Sequence, residues 1–375
     1  MHPTNVKIVY IIPTLDMDEG GGILEFLYLL ISHLDRSYYE VEILVFYSIP
    51  NHASRFRDLG ASVHIATDKR EDNTYLTLFR WLAEKIRKLQ PHIVHTSVYW
   101  ADTLGREVAD KCNVPVVMMT EHNTNLNETV DQQRIKKRLS LKTDAVACVT
   151  NVVKNYSVKV DGIDADRIEV IPCGFNLDKY AKNIEDINEL SRDFYFVGRL
   201  VDQKKPLELI EVFASLAKKH PGCRLMCVGD GPLHKKCELL IKSLGMTGTI
   251  FLEGYKENPF ESVQPGSILL LNSAYEGQGI VLMEAMAQGL LCIASDCGGV
   301  PEVIDHNVNG FLFKTNDQDA LKRTIEKALK MNRADLNQLR KNAHRKARDV
   351  FNPRKMANDY MQLYHRLLEN KLVDL

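Results

Sequence analysis

The 375-residue chain contains no apolar run of the roughly 18 residues that a bilayer-spanning helix needs. It has no excess of either charge. Lys and Arg number 48 against 49 Asp and Glu, a formal net charge of -1, which excludes a protein that coats nucleic acid through bulk charge. There is no internal repeat and no low-complexity tract, so solenoid and fibrous architectures are excluded. None of the cysteines (Cys112, Cys148, Cys173, Cys223, Cys227, Cys237, Cys292, Cys297) forms a C-x-x-C pair, and Cys223 and Cys227 lie around one strand at a C-x-x-x-C spacing without a second-pair His motif. Zinc is not indicated, and the cysteines read as buried reduced thiols of a cytoplasmic protein. The sequons at Asn127 and Asn155 then carry no meaning. The apolar stretch 8–13 is too short for a signal-peptide core and is followed by Asp16, Asp18 and Glu19, so it reads as a first β-strand.

What is present is a hydrophobic fraction of 45% and a charged fraction of 26%, the balance of a globular chain long enough for two domains. Short Val- and Ile-rich runs alternate with amphipathic stretches of helix length. In the first half the runs are 7–13, 41–47, 62–66, 93–97, 114–121 and 145–150. They are apolar almost throughout, as strands buried on both faces must be. The pattern restarts at 194–197 and continues at 225–228, 249–252, 268–271 and 291–294, with helices expected at 206–220, 233–244, 280–288 and 318–330. The order βαβα predicts an α/β chain of two doubly wound parallel sheets in tandem. The polar stretch 181–191 is expected to join them. The expected domains are 1–183 and 190–352, and an amphipathic helix at 353–375, with Met356, Tyr360, Leu363 and Leu367 on one face, is expected to return to the first domain.

Chemistry is expected at strand C-terminal ends, where open α/β sheets bind ligands. Gly20-Gly21-Gly22 follows the first strand and opens a helix, letting a phosphate or sugar approach backbone amides. It is not the spaced G-x-G-x-x-G fingerprint, and a plain turn is the alternative. Gly198-Arg199 closes the first strand of the second half, with Lys204 five residues on; a guanidinium fork and a point charge suit a diphosphate. The segment from Asn272 to Gly289 carries Glu276, Gly277, Gln278 and Gly279 in a loop, then a helix from Ile280 with Glu284 on the expected apolar side near Met283 and Ala287. An acid there is costly unless it binds something, and vicinal hydroxyls are natural partners for a carboxylate. His122, flanked by Glu121 and Asn123, ends the fifth strand; His95 reads as lying inside the sheet. Asp16 and Asp18 mimic a D-x-D metal motif without a third ligand. Arg134, Lys136, Lys137, Arg138 and Lys142, with Ile135 and Leu139, read equally as a membrane-surface helix or a solvated face.

These residues resemble the retaining glycosyltransferases of family 4. Glu276 and Glu284 form an E-x7-E motif followed by AMAQG and then SDCGGVPE, the family's C-terminal signature. VIPCGFNLDKY at 170–180 is similar to its turn before the linker, and GRL with Lys204, VGDGP at 228–232 and NGFL at 309–312 also match. The resemblance spans nearly the whole chain and is stronger in the second half. It implies the GT-B fold, two Rossmann-like domains facing across a crevice. It implies that Arg199 and Lys204 hold a donor diphosphate and that Glu284 holds the ribose. Glu276 would contact the transferred sugar, with Gly198 and the amides of Gly277, Gln278, Gly279 and Ile280 beside it. Gly21 and Gly22 would lie near the diphosphate, and His122 would face the sugar. The sequence departs from the family pattern at Gln278, at Cys173 and in the register after the glycine run. The implied activity is retaining, metal-independent transfer from a nucleotide sugar, with a UDP-sugar favoured, to a glycan or lipid-linked glycan in surface polysaccharide synthesis. That points to a cytoplasmic chain that either stays free of the membrane or touches its inner face, with no nucleic-acid partner. A non-hydrolysing sugar-nucleotide epimerase and an inactive sugar-nucleotide binding subunit remain the alternatives.

Overall fold

A computed structural model describes residues 5–48, 53–69, 74–124, 128–181 and 183–373, with 17–20, 372 and 373 described by backbone alone. The first half runs β1 (Val6–Thr14), α1 (Met17–Ser32), β2 (Tyr39–Tyr47), α2 (Ser54–Arg57), β3 (Ser62–Thr67), α3 (Tyr75–Leu89), β4 (Ile93–Ser97), α4 (Tyr99–Lys111), β5 (Val116–Glu121), α5 (Val130–Ser140), β6 (Ala145–Cys148), α6 (Asn151–Lys159) and β7 (Ile168–Val170). The second runs α7 (Leu177–Tyr180), β8 (Asp193–Val197), α8 (Pro206–Lys219), β9 (Arg224–Val228), α9 (His234–Ser243), β10 (Ile250–Gly254), β11 (Ile268–Leu271), α10 (Ile280–Ala287), β12 (Leu291–Asp296), α11 (Val300–Val303), β13 (Phe311–Lys314), α12 (Gln318–Leu329) and α13 (Arg333–Val350). The helix α14 (Pro353–Val373) ends the chain.

Local signals set many of these boundaries. Thr74 and Thr129 form capping boxes at the starts of α3 and α5, and Asp317 and Asn332 cap α12 and α13. Pro206 occupies the first helical position of α8, where its missing N–H costs nothing.

The first sheet has the strand order β3-β2-β1-β4-β5-β6-β7 and the second β10-β9-β8-β11-β12-β13. Every described ladder is parallel. In each sheet the order reverses beside its first strand, between β1 and β4 and between β8 and β11. These are the switch points at which open α/β sheets bind ligands. The fold is thus two doubly wound, Rossmann-like units.

The units divide as Met1–Phe175 with Pro353–Leu375, and Asn176–Asn352. The expected join at 181–191 is therefore displaced, and the expected first domain, 1–183, ends eight residues too late. Residues 183–191 belong to the second unit. Ile187 packs on its core, its N–H donates to Asn337 Oδ1 at 3.0 Å, and its carbonyl accepts Asn337 Nδ2 at 2.9 Å. Arg340 donates to the Glu185 carbonyl at 3.0 Å. The segment lacks apolar periodicity because it is a strap tied by side-chain hydrogen bonds, not because it is a linker. Helix α13, which supplies Asn337 and Arg340, is not anticipated by the sequence reading, nor are the short strands β7 and β13.

Helix α14 is part of the first unit and packs on α1 and β5. Its buried stripe is Met356, Ala357, Tyr360, Leu363, Tyr364 and Leu368; Leu367, expected on that face, is only half-buried. The tyrosines end in a hydrogen-bonded chain. Tyr364 Oη lies 3.0 Å from Tyr10 Oη and 2.7 Å from His95 Nδ1; His95 Nε2 lies 2.7 Å from Thr120 Oγ1, and that oxygen is 2.9 Å from Tyr360 Oη. His95 is thus inside the sheet, as expected, and burial pulls its pKa down to about 3. Gly174 explains itself here: a Cβ at this position would stand 2.5 Å from Pro353 Cα, so only glycine admits the start of α14. All eight cysteines are unpaired, and all but Cys112 are buried.

Candidate active site

In the second unit the chemistry gathers at the switch point. Strand β8 runs out into Gly198 and the exposed Arg199, whose guanidinium makes no hydrogen bond or ion pair among the described residues. A 3-10 turn, Asp202–Lys204, follows before α8. Strand β11 runs out into Asn272, Ser273 and the loop that carries Glu276. The two strand exits are stitched together: Ala274 donates its N–H to the Gln203 carbonyl at 2.8 Å, and Gln203 Nε2 donates to the Tyr275 carbonyl at 2.9 Å. This brings the Lys204 ammonium onto Glu276 Oε1. Ser273 Oγ donates to the same oxygen at 2.5 Å. Glu276 is only 6% exposed, so the two donors compensate its desolvation.

Gly277, Gln278 and Gly279 are buried and lead directly into α10, with Gly279 at its N-cap in the left-handed region (φ 81°) and no side chain capping the helix. The first amides of α10 therefore point out of the helix start beside the strand exits, an arrangement suited to an anion. Glu284 departs from expectation. It is half-buried and shares the partly open stripe of α10 with Ile280, Val281 and Gln288, while Leu282, Met283, Ala285, Met286 and Ala287 fill the core side. A carboxylate on this stripe is only partly withdrawn from solvent.

In the first unit His122 directly follows β5. Its ring meets Phe26 edge-on, with centroids 4.7 Å apart, and Nε2 is covered without a hydrogen-bond partner among the described residues. Burial pulls its pKa down to about 4, so the imidazole is neutral at pH 7. The glycines do not form a separate turn: Gly20, Gly21 and Gly22 are already inside α1, with Gly21 half-buried and Gly22 exposed. A Cβ on Gly21 would meet nothing within 4 Å, so its absence leaves open space on the first turns of the helix.

The basic cluster is not what the sequence suggests. Lys136 is buried, with Nζ 3.0 Å from Glu121, 3.3 Å from Glu128 and 2.9 Å from Asp161. Burial alone would lower the Lys136 pKa, but the three carboxylates outweigh it and raise it. Burial drives Glu128 up to about 7 and Asp161 up to about 6, against the pull of Lys136. Arg134, Arg138 and Lys142 reach solvent, paired with Asp131, Glu107 and Asp110 respectively. Among the described residues no three His, Cys, Asp or Glu side chains gather as metal ligands; the side chain of Asp18 lies outside them. No helix among them is long and apolar enough to cross a membrane.

Sequence reasoning selected Arg199, Lys204, Glu276 and the 277–280 loop, which the fold brings to one switch point. It treated Lys204 and Glu276 as separate contacts, missed Gln203, and gave Ser273 no role beyond ending its strand. The only available signal was their place at strand exits.

The chain matches two family models, Glycosyltransferase Family 4 over residues 20–179 and Glycosyl transferases group 1 over residues 179–349. It is 33% identical over 311 residues to Bacillus subtilis EpsD, which carries a glycosyltransferase name, covering 72% of this chain and 81% of that one. It is 28% identical over 319 residues to the Escherichia coli UDP-Gal:alpha-D-GlcNAc-diphosphoundecaprenol alpha-1,3-galactosyltransferase, covering 77% and 79%. Anabaena HepE, solved with UDP and glucose, superposes with a TM-score of 0.81 at 17% identity over 96% of this chain and 100% of that one. Sucrose-phosphate synthase from Thermosynechococcus elongatus superposes at 0.82 and 20% identity, over 98% and 100%. With both halves matched in order and the paired Rossmann-like units of GT-B enzymes in place, the chain belongs to glycosyltransferase family 4, the group 1 glycosyl transferases.

Proposed function

We propose that this glycosyltransferase moves a sugar from a UDP-sugar to a hydroxyl of a glycan carried on a polyprenyl diphosphate, with retention at the anomeric carbon. The observation that carries the donor assignment is the conjunction of an unpaired Arg199, Lys204 and the uncapped start of α10 at one switch point. A diphosphate leaving group gains charge as the glycosidic bond breaks, and these groups supply fixed positive potential where it forms. That supply supports metal-independent transfer. The E. coli relative's name specifies UDP-Gal, a diphosphoundecaprenol-linked acceptor and an alpha linkage, which supports the substrate classes and a role in surface polysaccharide synthesis.

In this reading Arg199 and Lys204 hold the diphosphate, Gly198 and the amides of Gly277, Gln278, Gly279 and Ile280 lie beside it, Glu284 holds the ribose, and Glu276 accepts hydroxyls of the transferred sugar. His122, Gly21 and Gly22 keep the sugar- and diphosphate-contact roles that the family resemblance implies. The acceptor hydroxyl attacks the anomeric carbon on the leaving-group face, the C–O bond to the diphosphate breaks, and a phosphate oxygen takes the acceptor's proton. The protein is proposed to work at the inner face of the membrane. Its candidate contacts are the exposed Trp100 on α4 and the exposed Val130, Ile135 and Leu141 on and beside α5, which also carries the exposed Arg134, Lys137 and Arg138 and is followed by Lys142.

The test is UDP release from a panel of UDP-, GDP- and ADP-sugars, with and without a polyprenyl-diphosphate-GlcNAc acceptor and with EDTA present. Acceptor-dependent release from a UDP-sugar that survives EDTA is expected. Release that needs no acceptor, or requires added Mg²⁺ or Mn²⁺, would overturn the transfer reading or its metal independence respectively.

A further inference from the structure

The two carboxylate oxygens of Glu276 are used unequally. Oε1 takes both the Ser273 hydroxyl, at 2.5 Å, and the Lys204 ammonium. Oε2 makes no hydrogen bond or ion pair among the described residues. The main chain of Glu276 is fixed as well. Its carbonyl accepts the Gly299 N–H at 3.1 Å, and a Cβ on Gly298 would stand 1.9 Å from that oxygen. Ser273 is only 1% exposed, and its own carbonyl accepts Ser295 Oγ at 2.7 Å. The backbone between Ser273 and Glu276 is held by Gln203 through the bonds to Ala274 and Tyr275.

We infer that Ser273, through Oε1, and Gln203, through the backbone at Ala274 and Tyr275, are positioning residues that anchor Glu276, so that Oε2 is presented to a donor hydroxyl of the transferred sugar. The inference deepens the proposed role of Glu276 and rests on it. With Ser273 and Lys204 both donating to Oε1, the carboxylate serves here as an acceptor. The group facing Oε2 must therefore be a hydrogen-bond donor, which a sugar hydroxyl is and a phosphate oxygen is not. Lys204 spends one of its three N–H donors on Glu276 and keeps two for an anion. One ion pair thus separates the subsites: the hydroxyl on the carboxylate side, the diphosphate on the ammonium side. Holding the carboxylate before the sugar arrives removes the cost of ordering it during binding.

The experiment uses the full chain and whichever UDP-sugar the donor panel identifies. It compares the parent with Ser273→Ala, Gln203→Ala, Glu276→Gln and the Ser273→Ala/Glu276→Gln double variant. UDP release gives kcat/KM, and UDP alone is titrated calorimetrically. Ser273→Ala is expected to lower kcat/KM by about tenfold or more, with UDP affinity within about twofold of the parent. The double variant is expected to be no slower than Glu276→Gln alone, because Ser273 acts through that carboxylate. Gln203→Ala, which removes a half-buried amide and leaves the strand end intact, is expected to show a smaller loss of turnover with the same unchanged UDP affinity. Parent-like turnover in Ser273→Ala, losses that multiply in the double variant, or UDP affinity that falls in step with turnover would each overturn the inference. Parent-like turnover in Glu276→Gln would instead remove the proposed role of Glu276 itself.

Discussion

The Lys204 ammonium rests on Oε1 of Glu276, two groups 72 residues apart in the chain that meet because β8 and β11 are neighbours at a switch point. The pair is largely sheltered, with side-chain exposures of 15% and 8%. Truncating one partner leaves the other desolvated. Lys204→Ala should therefore lower unfolding free energy by about 1–3 kcal/mol and reduce turnover by at least about tenfold. Urea unfolding and UDP-release kinetics check it; a variant with parent stability and kinetics would show that the pair does neither job.

Arg199 offers the contrast. It is exposed and unpaired among the described residues, so Arg199→Ala removes no internal contact. Stability should stay within about 0.5 kcal/mol of the parent. UDP binding should weaken by the worth of a charge-assisted contact, about 1.5–3 kcal/mol. Calorimetry with UDP decides, and unchanged affinity would remove Arg199 from the diphosphate assignment.

The Lys136 cluster gives a pH prediction with a definite sign. Glu128, at about 7, and Asp161, at about 6, are raised above their ordinary values, so the stability they contribute through bound protons is present in acid and lost as pH rises through 6–7. Lys136 offsets the charge that then develops. Lys136→Met should cost about 3–5 kcal/mol at pH 8, where it leaves buried carboxylates uncompensated, and clearly less at pH 5, where Glu128 and Asp161 carry protons. Equal losses at the two pH values, measured by urea unfolding, would contradict the linkage.

Tyr364 ties α14 to β1 and β4 through one hydroxyl, shared by Tyr10 and His95. Tyr364→Phe keeps the packing and strands both partners, so a loss of about 1–3 kcal/mol is expected. Deleting the chain from Pro353 onward uncovers the whole stripe and should unfold the first unit. Hydrogen exchange read separately over β1–β5 and β8–β12 would reveal protection lost in the first set alone; unchanged protection in β1–β5 would show that α14 is dispensable.

The membrane reading separates apolar from charged contributions. Three of the surface cations are already paired, so attraction to anionic lipid is expected to depend on Trp100 and Leu141 as well as on charge. Trp100→Ser with Leu141→Ser should reduce sedimentation with phosphatidylglycerol vesicles by more than half. Vesicle binding that is absent in the parent, or untouched by this variant, would leave a soluble acceptor as the better reading.

By itself the sequence determined the fold class, because strands buried on both faces must be apolar throughout and helices between them must show a 3.6-residue period. It also located Arg199, Lys204, Glu276 and the loop into α10, since strand C-terminal ends are marked by where apolar runs stop. Only the tertiary structure decided what those residues touch. Lys136 sits in a run of basic residues whose composition suits a solvated face, yet the turn after α6 brings Asp161 to it and makes it a buried counter-ion. Glu284 has apolar neighbours in sequence on either side, but in the fold it lies on the partly open stripe of α10 with Ile280, Val281 and Gln288. The strap at 183–191 has no hydrophobic period to read because side-chain hydrogen bonds from Asn337 and Arg340, about 150 residues away, hold it in place. Periodicity records burial averaged along an element; which charge faces which is set by strand order, and strand order is a long-range pairing that local pattern does not encode.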